Sequence, residues 1–194
     1  LRDAAGFLTG DDWEFDFVQR DGATPHPPQS SLQFSVTTDA VIAYSDGMDS
    51  RAVAGLTAQE LGRKLVRVRV GTRKAGLPEA GEPVPFTAIP YNVKASGETS
   101  ARSRGFKFGL VSGIAAYLAG ASKIVLPESG QGIFGPVLVT SSAQAYQDYR
   151  SHPLFARRME RFLTALLKRP LHFLFPRIWV TKGETLKAYT ALPG

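Results

Sequence analysis

The spacing of apolar positions changes several times along the chain. "DWEFDFV" (12–18) alternates Trp13, Phe15 and Phe17 with Glu14 and Asp16, the period of a half-buried strand. "VIAYS" (41–45) is short and nearly all apolar, as in a strand covered on both faces. "SRAVAGLTAQELGRK" (50–64) places Val53, Leu56 and Leu61 at helical spacing. "LVRVRVG" (65–71) alternates valine with arginine and predicts a strand. "FTAIPYNV" (86–93) predicts another, whose Pro90 belongs at an edge or an end. "RGFKFGLVSGIAAYLAG" (104–120) predicts a helix whose Gly109, Gly113 and Ala116 would let it lie close on a sheet. "KIVLP" (123–127) reads as the next buried strand, and "ESGQGIFGP" (128–136) as a glycine-rich loop at its end. "HPLFARRMERFLTALLKR" (152–169) predicts an amphipathic helix, with Phe155, Met159, Phe162, Leu163 and Leu166 on one face and Arg157, Arg158 and Arg161 off it. "PRIWVTKGETLKAY" (176–189) predicts a strand, a turn and a helix opening at Thr181 or Lys182, with Glu184 at capping-box distance from Thr181.

Strands alternating with helices predict an α/β fold: an open parallel sheet with helices on both faces. Ligands of such sheets sit outside the carboxyl ends of the strands. The loops at 45–50, 94–104 and 128–136 fall there. "DGATPHPPQSS" (21–31) is a loop by its prolines and small polar residues. It divides an N-terminal element and loop (1–31) from the main domain (32–194).

Composition narrows the chemistry. The 194 residues are 43% hydrophobic, enough for a sizeable core. The chain opens on Leu1 rather than methionine, and its first residues read as part of a longer protein. With no cysteine, disulfides, thiolate zinc sites and cysteine nucleophiles are excluded from this chain. His26, His152 and His172 lack metal-ligand spacing and read as surface or packing residues. No apolar run reaches the ~18–20 residues that span a bilayer, so no membrane role is expected. The net charge of +6 is uneven. Residues 1–21 hold six acids against two arginines, whereas residues 150–187 hold nine bases against two glutamates. Such a basic third suits a solvated helix face, or an anionic partner: nucleotide, nucleic acid, or an acidic protein on the helix at 152–169.

The turn "SDGMDS" (45–50) joins a buried strand to a helix. A helix start offers unpaired N–H groups and the positive end of the helix dipole, which together favour phosphate. Ser45 and Ser50 add hydroxyls, and Gly47 allows close backbone approach. Asp49 is placed to cap the helix or to hold magnesium. The P-loop lysine is missing, since no Gly-Lys-Ser/Thr follows.

This turn resembles the SGG-x-D-S pyrophosphate loop of the PP-loop ATP pyrophosphatases, which likewise opens the first helix after a first buried strand. Ser45, Gly47, Asp49 and Ser50 match, Met48 takes the variable place, and Asp46 stands where the family has a first glycine. A carboxylate there repels polyphosphate unless it points away or helps bind magnesium. "ARSRGFKFGLVSGIAAYLAGASKIVLP" (101–127) is similar to the GRN-xx-F helix and strand of the 7-cyano-7-deazaguanine synthase (QueC-like) branch. Arg104 and Phe108 fall on the family's arginine and phenylalanine, and Gly105 replaces its asparagine. The segment at 176–189 looks like that branch's (S/T)K-x-E element, with Lys182 and Glu184 in place. The resemblance spans about residues 38–190. The synthases' four-cysteine zinc site is absent, and the loop at 127–136 departs from their substrate loop. In this the chain looks more like the diverged members found in bacterial anti-phage operons.

The resemblance implies the adenine nucleotide alpha-hydrolase (HUP-like) fold, with ATP and Mg2+ as cofactors and no zinc in this chain. It implies ATP-dependent adenylation of a carboxylate, first of all a 7-deazaguanine carboxylate, with release of pyrophosphate and transfer to a nitrogen nucleophile. Residues 45–50, from Ser45 to Ser50 through Asp46, Gly47, Met48 and Asp49, would hold the nucleotide, with Asp49 toward the metal. Arg104 and Lys182 would neutralise phosphate charge, with Lys94 and Arg102 as secondary candidates. Glu128 and Gln131 either face the acceptor substrate or cap their loop. An enzyme of this kind is expected in the cytoplasm. Two other readings stay open: a PP-loop enzyme acting on tRNA, and a non-catalytic subunit that binds nucleotide or a partner.

Overall fold

The computed structural model describes residues 1–19, 21–22, 37–45, 47–71, 86–90, 104–134 and 149–193. Within them lie five strands: β1 (Ala40–Ala43), β2 (Leu65–Gly71), β3 (Phe86–Pro90), β4 (Lys123–Val125) and β5 (His172–Leu174). Six α-helices accompany them: α1 (Arg2–Thr9), α2 (Met48–Leu61), α3 (Arg104–Leu118), α4 (Gly130–Phe134), α5 (Pro153–Leu167) and α6 (Lys182–Thr190). The strands form one sheet in the order β3-β2-β1-β4-β5, and every pairing is parallel.

Strand order follows from what β1 can bury. Ala40, Val41 and Ile42 are fully buried, so this strand belongs in the middle of the sheet with both faces covered. The pleat divides its side chains. Val41 joins Val66, Val68 and Ile124 in a core completed by α1, α3 and α5. Ala40 and Ile42 join Leu65 and Val125 under Val53 and Ala54 of α2. Helices therefore cover both faces, as the alternating pattern predicts. From β1 the chain winds outward to β2 and β3, then returns to start β4 on the other side of β1. The boundary between β1 and β4, in register from Ala40–Lys123 to Ile42–Val125, is the topological switch point of the sheet.

The small residues of α3 act differently from their sequence reading. They receive α5 as well as lying near the sheet. A Cβ on Gly113 would stand 2.6 Å from the Leu163 methyls, and one on Gly109 3.1 Å from Met159 Cε. Gly105 lies under residue 150, where an added Cβ would come within 2.7 Å of the Arg150 Cα. No side chain, asparagine included, fits there without moving that backbone.

Three further elements correct the sequence reading. Residues 12–18 form no strand. The N-terminal helix is α1, ended by Gly10 at φ 76°, and Phe17 and Val18 stay 84% and 88% exposed. Trp13 folds back so that its Nε1 donates to Thr9 Oγ1 at 2.8 Å. The last strand is not at 176–180 but at His172–Leu174, bounded by Pro170 and Pro176. The glycine-rich segment after β4 contains α4, within the span read as a loop. Helix α6 starts as expected: Thr181 Oγ1 accepts from Glu184 N at 3.2 Å, and Glu184 Oε2 accepts from Thr181 N at 2.7 Å. Among the described residues no helix is long and apolar enough to cross a membrane.

Candidate functional site

The turn after β1 is tied by Ser50. This residue is 4% exposed, and its Oγ accepts from Ser45 N at 3.1 Å, lies 2.9 Å from Ser45 Oγ, and donates to the carbonyls of Ser45 and Gly47. Gly47 is the N-cap of α2, and its N–H donates to Ser45 Oγ at 3.3 Å. Asp49 is therefore not the cap; it sits in the first turn of α2. The first-turn amides of α2 have no carbonyl of their own helix to bond, which leaves an electropositive end beside the exposed Ser45 and Met48.

Asp49 meets Lys182, 133 positions along the chain. Lys182 Nζ donates to Asp49 Oδ2 at 2.9 Å. That hydrogen bond, then the Asp49 charge, hold the ammonium above its ordinary pKa, and the charge of Glu128 adds to them. The lysine is positioned by α6, whose packing against α2 is close. Gln131 of α4 fixes the same helix start, because its Oε1 accepts from Lys182 N at 3.1 Å. Its side chain thus caps α6, the structural alternative for this residue.

Beneath the turn, between the ends of β1 and β4 and the N-terminal halves of α3 and α5, lies a cavity of about 140 Å³. Ser45 and Glu128 stand on its wall with Arg104, Phe108 and Ser112 of α3. Arg150, Phe155 and Phe173 complete the lining. The Arg104 guanidinium lies 5.3 Å from the centre of the Phe108 ring. The three segments singled out in the sequence, at 45–50, 104–108 and 181–184, therefore meet at one end of the sheet. Asp46, Lys94, Arg102 and His26 lie outside the described residues, as does the loop at 94–103.

The fit to nucleotide divides in two. A phosphate group suits the start of α2, Ser45 and the Lys182 ammonium. A protein-held metal suits the site less well: Asp49 Oδ2 already accepts from Lys182, and no group of three acidic or histidine side chains converges among the described residues. Magnesium would arrive with its nucleotide, held largely by phosphate oxygens.

Sequence reasoning missed Arg150, Ser112, Phe155 and Phe173 as parts of the site. A signal existed for Ser112, the one hydroxyl-bearing residue in the otherwise apolar run "LVSGIAAYL" before Tyr117. No sequence signal distinguishes Phe155 or Phe173 from other core aromatics.

Fold and site together define a parallel α/β protein with a strand–turn–helix anion site over a switch-point cavity. Comparison with known proteins matches the chain to no family model and to no curated protein.

Proposed function

We propose that the protein is an ATP-dependent, carboxylate-activating enzyme with the HUP-like architecture of the PP-loop ATP pyrophosphatases. The observation that carries this reading is the convergence of Asp49, Lys182 and Arg104 at the switch point, from three separate segments that each resemble a motif of that family. ATP supplies an α-phosphorus for attack by the carboxylate oxygen, with pyrophosphate leaving, after which a nitrogen nucleophile displaces AMP. Ser45 and the first-turn amides of α2 hold phosphate oxygens. Lys182, kept protonated by Asp49, neutralises the charge that develops as pyrophosphate departs. Arg104 receives the carboxylate, and a 7-deazaguanine carboxylate is the leading candidate. A reaction that consumes ATP belongs in the cytoplasm.

The test is pyrophosphate release by the purified protein with ATP, magnesium and candidate carboxylates. Release that depends on the carboxylate supports the reading; no release with any of them, together with no ATP affinity by calorimetry, sinks it. A second reading, a non-catalytic binding subunit, is favoured by the turn itself, whose Ser50 hydroxyl is turned inward and whose Asp49 is already paired. ATP binding without any pyrophosphate release selects that one.

A further inference from the structure

The lining of the switch-point cavity changes character with depth. Arg104 is exposed at the N-terminus of α3, Phe108 is half-buried one turn below, and Ser112 is 1% exposed one turn below that. Arg104 and Ser112 are thus separated by about 12 Å along the helix axis. Between them the walls are aromatic and aliphatic: Phe108, Phe155, Phe173 and Ile124. At the bottom, Ser112 Oγ is buried and has no hydrogen-bond partner among the described residues. A serine inside a helix ordinarily bonds back to the carbonyl four residues earlier, and a buried hydroxyl left unpaired costs free energy. The charged lining is Arg104, Arg150 and Glu128, which leaves one positive charge in excess.

These features call for a ligand with three parts: one negative charge near the mouth, a flat apolar body, and a hydrogen-bonding atom at the far end. We propose that the cavity binds a planar heteroaromatic monocarboxylate, whose carboxylate meets Arg104 and whose distal ring atom hydrogen-bonds Ser112 Oγ. Ser112 is then a specificity-determining residue. It selects rings that carry a polar atom opposite the carboxylate and discriminates against purely apolar ones of the same shape. The inference deepens the carboxylate-activating reading and rests on it for the reaction, while the binding itself needs no nucleotide.

The test is calorimetry on the whole chain without ATP, using indole-5-carboxylate and its isostere 1-benzothiophene-5-carboxylate, which lacks the ring N–H. The indole acid is expected to bind the wild type more tightly. Ser112→Ala is expected to weaken indole-5-carboxylate about fivefold, leave the benzothiophene acid unchanged, and keep or raise the melting temperature, since it removes an unpaired buried hydroxyl. Arg104→Met is expected to weaken both acids and leave uncharged indole unaffected. Equal binding of the two acids by wild type and Ser112→Ala, or binding of neither, overturns the proposal. So does Ser112→Ala weakening ATP but not the indole acid, which would assign the cavity to the nucleotide base. ATP titrated separately tells the two readings apart: ring binding without ATP binding removes the reaction and keeps the cavity assignment.

Discussion

Helix α5 and the rim of the cavity are both rich in arginine, and charge alone makes each an anion site. On α5 the acids come from the same chain. Arg158 Nε donates to Asp3 at 3.0 Å, Arg161 lies 3.6 Å from the same carboxylate, and Arg157 lies 3.9 Å from Glu160. The acidic N-terminal segment and the basic C-terminal third, opposite in the sequence, are partly each other's counterions. Arg158 also lies 4.3 Å from the centre of the Phe7 ring, which seats α1 on α5. At the rim, by contrast, Arg104 contacts an aromatic ring, and two arginines face one glutamate around a cavity. A surplus of charge marks a site only where folding leaves it beside space for a ligand.

The comparison breaks most sharply at the apolar side of α5. If that helix is chiefly a packing element, its buried face carries its importance. Leu163 is fully buried against the position of Gly113. Leu163→Ala is expected to cost about 2–5 kcal/mol, read as a lower urea midpoint at unchanged slope. Arg157→Ala, at a side chain 79% exposed, is expected to stay within about 0.5 kcal/mol of wild type. An Arg157 variant as damaging as the Leu163 variant would give the basic face a structural role that its contacts do not supply.

At the rim the expected effect is on activity. Lys182→Met is expected to lower pyrophosphate release about 100-fold, the loss typical of one preorganised charge-stabilising donor. The melting temperature should hardly move, because the lysine side chain is 45% exposed and an ion pair that open contributes little. Equal activity in the variant would place Lys182 with the arginines of α5, as a cation whose counterion is structural. Arg158→Ala inverts this pattern. Losing the Asp3 bond and the Phe7 stack is expected to cost about 1 kcal/mol of stability and leave pyrophosphate release intact.

Much of the architecture was legible because the segments that build its centre are strongly patterned. Val41 and Ile42 announce a strand buried on both faces, and the Leu/Met/Phe stripe of α5 announces its inward side. The missed elements lie where local pattern is weak. Strand β5 is three residues between prolines, and α4 has two glycines in five residues. Trp13, Phe15 and Phe17 alternate as a strand does, yet no neighbouring strand pairs with them among the described residues; Trp13 and Phe15 instead stack on each other with centroids 5.7 Å apart. For the site, the turn was legible as a turn, while its closure by Ser50 and the distant Lys182–Asp49 pair are products of tertiary folding. The orphaned hydroxyl of Ser112 belongs to the same category, since helical spacing gives a residue's face but not whether its partner exists.

The smallest expected effect concerns the joint between the two regions, where α5 begins. His152 is the N-cap of α5: its Nδ1 accepts from Leu154 N at 3.2 Å, and its ring packs near Phe7, Tyr149 and Phe134. Only the neutral ring can accept that bond, and burial lowers its pKa below the ordinary value of 6.5. A lowered native pKa means that acid favours the unfolded chain. The contribution is therefore fully present above about pH 6.5 and is lost as pH falls through the lowered native value. Protonation also brings a positive charge to the positive end of the α5 dipole. His152→Asn supplies a capping oxygen that does not titrate in this range. Between pH 7.5 and pH 5 the wild type is expected to lose more stability than His152→Asn, by up to about 1 kcal/mol, measured by urea unfolding at each pH. Parallel pH profiles would mean that the ring is held by its aromatic neighbours and that the cap contributes nothing. A wild type that gains on the asparagine variant in acid would reverse the sign, and would put an unrecognised carboxylate beside His152.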